Sequence, residues 1–224
     1  MTGSCFDAKH SPDNGAEKSL DLRPYLEQPN PLLVAVSGPS GVGKDSVIRR
    51  MKELNYPFSF VVTATTRPPR QGERHGLDYF FLSEQEFVAL MRRGELLEHA
   101  LVYGEYKGIP KEQVRRALAS GQDVIMRLDV QGAATVRHII PDAVLIFLLA
   151  GSEEELLRRL QKRRTEAAEN LQRRIATMHE EMKHIAEFDY AVVNRDGQLD
   201  RAVEKIAAII AAEKCRTKQR VIHL

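Results

Sequence analysis

The chain has 224 residues, 43% hydrophobic and 29% charged, with a formal net charge of +2. That length can bury a real core in one domain with insertions, and the near balance of charge excludes nucleic-acid binding by bulk basicity. Cys5 and Cys215 lie near opposite ends, which excludes a disulfide framework or a zinc site and fits a reduced compartment.

In chain order, residues 1–30 mix polar residues with Gly3, Pro12, Gly15, Pro24 and Pro29. They have neither the apolar centre of a secretory signal nor the arginine-rich, acid-poor character of a transit peptide, so they read as a flexible leader. The longest apolar run, 143–150, is strand-sized and far short of a membrane span. These features favour a cytoplasmic protein with no membrane or nucleic-acid partner, a mature organellar form being the alternative. From residue 32 onward, strand-like runs at 32–37, 58–63, 78–82, 124–129, 144–150 and 190–194 alternate with helical patterns. The helical patterns cover 42–54, 84–93, 111–120, 131–139, 153–162, 169–188 and 199–213. The alternation predicts an α/β fold, a parallel sheet wound by crossover helices.

Between the first strand and the first helix stands Gly38-Pro39-Ser40-Gly41-Val42-Gly43-Lys44. Glycines let backbone N–H groups curl around an anion, the helix N-terminus adds its positive end, and Lys44 brings a mobile cation, so the segment reads as a phosphate-binding loop. A plain glycine-rich turn is the bland alternative, and the flanking strand, helix and Lys44 argue against it. The pattern expects Ser or Thr next, to ligate magnesium; here Asp45 is followed by Ser46. Asp45 binding the metal, Ser46 binding it, or a water-mediated contact all remain open readings.

Residues 63–110 are rich in Arg, Gly, Pro and Tyr and read as an insertion doing polar work. Arg67 and Arg70 flank Pro68-Pro69, giving two guanidinium forks on a stiff loop, and Tyr79 adds a hydroxyl. Alone these support phosphate binding and nothing finer. The stretch 153–183 carries Arg158, Arg159, Lys162, Arg163, Arg164, Arg173 and Arg174, which reads either as a solvated helix face or as a phosphate-facing element. Leu171, Ile175, Met178, Met182 and Ile185 recur at helical spacing and form a packing stripe. His75, His99, His179 and His184 have no metal-site spacing and read as structural.

The stretch from Thr63 through Arg67, Arg70 and Tyr79 to Phe81 resembles the substrate motif of guanylate kinases. It is followed in order by Glu95-Leu96-Leu97-Glu98-His99-Ala100, Val102-Tyr103-Gly104 running to Gly108-Ile109-Pro110, and Asp129-Val130-Gln131-Gly132-Ala133. Arg159 to Glu166 and Asn194-Arg195-Asp196 complete the set, so the resemblance covers residues 32–213. It implies a P-loop kinase fold in residues 31–224. The parallel-sheet core would span 31–61, 113–152 and 184–213, with a GMP-binding region at 62–112 and a helical lid at 153–183. The implied reaction moves the γ-phosphate of ATP to GMP, with Mg2+ as cofactor and the two nucleotides as small-molecule partners.

Carried over position by position, Gly38, Pro39, Ser40, Gly41, Val42, Gly43, Lys44, Asp45 and Ser46 would bind ATP. Arg67, Arg70 and Tyr79 would hold the GMP phosphate, joined by Lys107 where the family usually has Tyr. Glu98 would take the guanine N1–H and exocyclic amine, supported by Asp129, with Thr63 at the O6 side. Lys44, Arg67 and the lid arginines Arg163 and Arg174 would act on the phosphoryl group in flight; an unbroken helix would set those two lid residues on one face. Asp45, Lys107, Ile109, Arg127 and Arg164 depart from the common pattern, and Arg127 in place of an acid must alter the electrostatics on the metal side. Together the departures resemble the plant organelle-type subgroup.

Two alternatives use the same residues differently. An inactive guanylate-kinase-like interaction module would keep the fold and degrade the phosphate loop, which this chain largely retains. A kinase acting on a sugar phosphate would have no base edge for Glu98 and Asp129 to bind.

Overall fold

The computed structural model describes residues 29–102, 104–162 and 168–224. Residues 1–28 of the leader expected over 1–30 lie outside these residues. The order is β1 (Leu33–Ser37), α1 (Lys44–Glu53), β2 (Phe58–Phe60), β3 (Ala64–Thr65), β4 (Phe80–Phe81), α2 (Glu84–Arg92), β5 (Leu96–Val102) and β6 (Glu105–Pro110). It continues through α3 (Lys111–Ala119), β7 (Asp123–Arg127), α4 (Val130–Ile139), β8 (Val144–Ala150), α5 (Glu153–Lys162), α6 (Ala168–Lys183), a 3-10 turn (His184–Glu187), β9 (Tyr190–Asn194) and α7 (Leu199–Lys214).

Five strands form one parallel sheet in the order β2-β7-β1-β8-β9. β1 is central and buried on both faces, as an all-parallel sheet covered by helices requires. Its side chains alternate: Val34 and Val36 pack with Val47, Met51, Val203 and Ile206 from α1 and α7, whereas Leu33 and Ala35 pack with Val114, Ala133 and Val136 from α3 and α4. At the carboxyl ends of β1, β7, β8 and β9 the chain leaves the sheet into loops, which is where an open α/β sheet forms its crevice.

A second sheet runs β4-β3-β6-β5, with β5 and β6 as an antiparallel hairpin and β3 antiparallel to β6. Its small core unites Ala64, Phe87 and Leu96 with Phe80, Leu82, Leu90 and Tyr106. α2 is set on it by a capping box, in which Ser83 and Glu86 satisfy each other's backbone N–H groups.

Two local expectations change. The strand expected over 58–63 stops at Phe60: after Val61 donates to the Ile125 carbonyl, the N–H and C=O of Val62 are both taken by the Gln113 side chain, at 3.1 and 2.9 Å, which ends the ladder. The hairpin of β5 and β6 falls where only a polar insertion was expected. The helices expected at 153–162 and 169–188 form as α5 and α6, and Glu153 at the start of α5 meets His179 near the end of α6 at 3.3 Å. An unbroken helix would hold those residues about 39 Å apart at 1.5 Å per residue, so α5 and α6 lie side by side. Arg163 is outside the described residues; Arg174 is on α6, and its side chain is outside them too.

Candidate active site

The phosphate loop follows the central strand. Gly38, Gly41 and Gly43 have φ of 131, 91 and 94°, on the side that L side chains avoid. A Cβ on Gly38 would run into the Leu148 carbonyl oxygen of β8, so that position demands glycine twice over. Gly43 caps α1 in a left-handed conformation with no side-chain cap, which explains why the helix starts at Lys44 and not at Val42. The loop is pinned from behind by Val42: its carbonyl accepts from Asn194 Nδ2 at 2.9 Å and from Arg159 Nη1 at 3.2 Å. Arg159 also bonds Glu155, Asp196 and the Asn194 carbonyl. This buttress explains why Asn194, a polar residue ending β9, is buried.

Lys44 turns back over the loop and donates to the carbonyls of Gly38 and Pro39, the latter at 3.0 Å. Burial pushes its pKa down to about 8, against the raising influence of the Glu181 and Asp45 carboxyls. Glu181 reaches in from α6. Its carboxyl lies near the Lys44 amine and the Ser40 backbone N–H, burial pushes its pKa up against their lowering influence, and Oε2 is buried with no partner among the described residues. The sequence had singled out neither Glu181 nor its loop contact, because a glutamate in a charged helix reads as solvated.

The second sheet supplies a cationic, aromatic subsite. Arg67 is buried and forms a bidentate pair with Glu73, at 2.7 and 2.6 Å, while its guanidinium lies 4.7 Å over the Tyr79 ring and 5.4 Å over Phe81. The Arg67 pair is the main force holding the Glu73 carboxyl down at about 2. Glu73 also accepts the Arg70 backbone N–H at 2.7 Å, so one carboxylate organises the whole Arg-Pro-Pro-Arg turn. The Arg70 side chain is exposed, and Lys107 sits on β6 opposite Thr65. Thr63 is buried beside β3, its carbonyl accepting from Phe80 N–H.

Glu98, on β5, is 8% exposed and lies against α4. A Cβ at Gly132 would lie 3.1 Å from Glu98 Oε2 and 3.2 Å from Asp129 Oδ1, so the missing side chain at 132 makes room for two carboxyls side by side. Asp129 caps α4 by accepting the Gly132 N–H at 2.7 Å. Burial, then the Asp129 charge, raise the Glu98 pKa to about 8. A strongly shifted carboxyl beside a second one, in a crevice, is a candidate recognition or catalytic group. The two subsites meet at Arg127, the last residue of β7. Its Nη1 pairs with Asp45, and its Nη2 donates to the Tyr79 hydroxyl at 2.7 Å.

The loop, Lys44, Asp45, Arg67, Tyr79, Glu98 and Asp129 are thus brought to one end of the parallel sheet. The sequence profile described as guanylate kinase matches residues 30–213. The chain is 50% identical over 207 residues to guanylate kinase 2, chloroplastic/mitochondrial, of rice (Oryza sativa subsp. japonica), covering 92% of this chain and 73% of that protein. It is 45% identical to the guanylate kinase of Caldanaerobacter subterraneus, covering 83% and 89% of the two chains. The crystal structure of guanylate kinase from Anaplasma phagocytophilum superposes with a TM-score of 0.70 at 29% identity, covering 85% and 89%. The chain belongs to the guanylate kinase family.

Proposed function

We propose that the protein transfers the γ-phosphate of ATP to GMP, giving ADP and GDP. The observation that carries this reading is the convergence of an anion-binding loop, an Arg–Tyr cluster and a buried carboxyl pair in one crevice. Such a transfer calls for little covalent chemistry from the protein and depends on positioning and charge.

ATP would lie on residues 38–46, its phosphates meeting the loop N–H groups, the start of α1 and Lys44. Triphosphate charge favours the protonated amine and so offsets the effect of burial on Lys44. Mg2+ would enter with the nucleotide. Among the described residues no group of three or more His, Cys, Asp or Glu could hold a metal unaided. One carboxylate, Asp45, with Ser46 beside it at a phosphate loop suits an ion that keeps its waters and shares its ligands with phosphates. When bound, the ion would neutralise charge between the β- and γ-phosphates.

GMP would place its phosphate on Arg67, Arg70, Tyr79 and Lys107. Guanine would present N1–H and its amino group to Glu98, with Asp129 beside it and Thr63 at the O6 side. Adenine has no such donor pair, so the buried carboxylate would be left without partners, which is how a polar pocket rejects the wrong base. An acceptor phosphate oxygen would attack the γ-phosphorus in line while the bond to the β-bridging oxygen breaks. Lys44, Arg67, Arg163 and Arg174 would stabilise the charge of the group in transit.

The test is ADP release from Mg-ATP with GMP, dGMP, AMP, UMP or no acceptor. Turnover on GMP and dGMP alone is expected. Silence from folded protein that still binds GMP would overturn the kinase reading, and equal rates with AMP would overturn the role of Glu98.

A further inference from the structure

Arg127 ends β7 with a side chain that bridges the crevice. One guanidinium nitrogen pairs with Asp45, directly after the loop lysine, and the other donates to the Tyr79 hydroxyl at 2.7 Å. The same guanidinium lies 5.4 Å over the Tyr79 ring, on which Arg67 also stacks. Its side chain is only 27% exposed, so removing either partner would leave a charge with little water to replace it.

The direction of these bonds matters. A tyrosine hydroxyl has one hydrogen to give and can accept. Because Arg127 donates to Tyr79, the phenolic hydrogen is directed elsewhere, ready for a phosphate oxygen, and the neighbouring positive charge makes it a stronger donor. At its other end Arg127 places a positive charge against the Asp45 carboxylate, directly after the loop lysine.

We propose that Arg127 is a positioning residue that couples the two phosphate subsites. It orients the Tyr79 hydroxyl toward the acceptor phosphate and compensates Asp45 at the donor side. The inference rests on the reading of Arg67, Arg70 and Tyr79 as the GMP-phosphate subsite. A planar fork serves two partners at once, which a lysine ammonium on a flexible stem does poorly.

The experiment is a double-mutant cycle on GMP binding, titrated calorimetrically without ATP, on wild type, Arg127→Met, Tyr79→Phe and the double variant. Each single change is expected to weaken GMP about tenfold, the scale of one hydrogen bond to a charged group. The double variant should be no worse than about twofold beyond either single, since both remove one arrangement. Guanosine, which has no phosphate, should bind all four proteins alike. Arg127→Lys should give an intermediate loss, and it replaces Arg127→Met in the cycle if the methionine protein does not fold. Multiplicative losses in the double variant, or an equal loss for guanosine, would overturn the coupling while leaving GMP as substrate. Wild type that bound no GMP would overturn the GMP reading and the coupling with it.

Discussion

Glu98 is a carboxyl held where ionisation is costly, with a pKa near 8 against an ordinary 4.5. To accept two hydrogen bonds from guanine it must be ionised, so binding GMP requires it to lose a proton. Between pH 6.5 and 7.5 the KM for GMP should therefore fall roughly tenfold, levelling off above pH 8, and this slope should vanish in Glu98→Gln. Initial rates at saturating Mg-ATP across that range check it; a KM that is flat in wild type would refute the assignment. The same shift bears on folding. A raised carboxyl contributes its full stability below pH 4.5 and loses it progressively up to pH 8, because over that window the folded chain keeps a proton the unfolded chain has given up. Glu98→Gln should accordingly gain on wild type in urea midpoint at pH 8.5 and not at pH 4.5. At this scale Glu98, Arg67 and Lys44 were legible from motif position alone. The partners of Arg127 were not, since Asp45 and Tyr79 lie 82 and 48 residues away in the chain.

At the scale of elements, the loop and its helix followed directly from residue types. Gly38, Gly41 and Gly43 adopt the conformations that only glycine takes without strain, and Lys44 opens the helix. Gly38→Ala would place a methyl against the Leu148 carbonyl at φ 131°, so it should cost about 2 kcal/mol, equivalent to a drop in Tm of several degrees, and lower kcat/KM for ATP at least tenfold. Differential scanning calorimetry and initial rates measure both, and unchanged values would mean the loop adopts another path. The short strands were harder to read. β2, β3 and β4 have three, two and two residues, too few for a period-two pattern to declare itself. What ends β2 is the Gln113 side chain from α3, a contact that no local window contains.

At the scale of the molecule, two sheets share one crevice, and α6 reaches into it. The Glu181 carboxyl lies beside the Ser40 N–H of the loop, the kind of group that a nucleotide phosphate needs. A carboxylate and a phosphate at one loop repel, so ATP should shift Glu181 and α6 with it. Small-angle scattering with GMP and a non-hydrolysable ATP analogue is expected to differ from that of the free protein. An unchanged profile at saturation would argue against that movement.

The alternation of apolar strands with amphipathic helices determined the α/β class, and the glycine spacing determined the phosphate loop, because both depend on periodicity and backbone conformation encoded locally. Tertiary structure decided which polar groups face one another: Glu98 beside Asp129 over Gly132, Glu73 clamping Arg67, Arg127 between Asp45 and Tyr79, and α6 folded back on α5. Those pairings depend on strand order and on through-space charge and burial, quantities that come into being only when distant segments pack together.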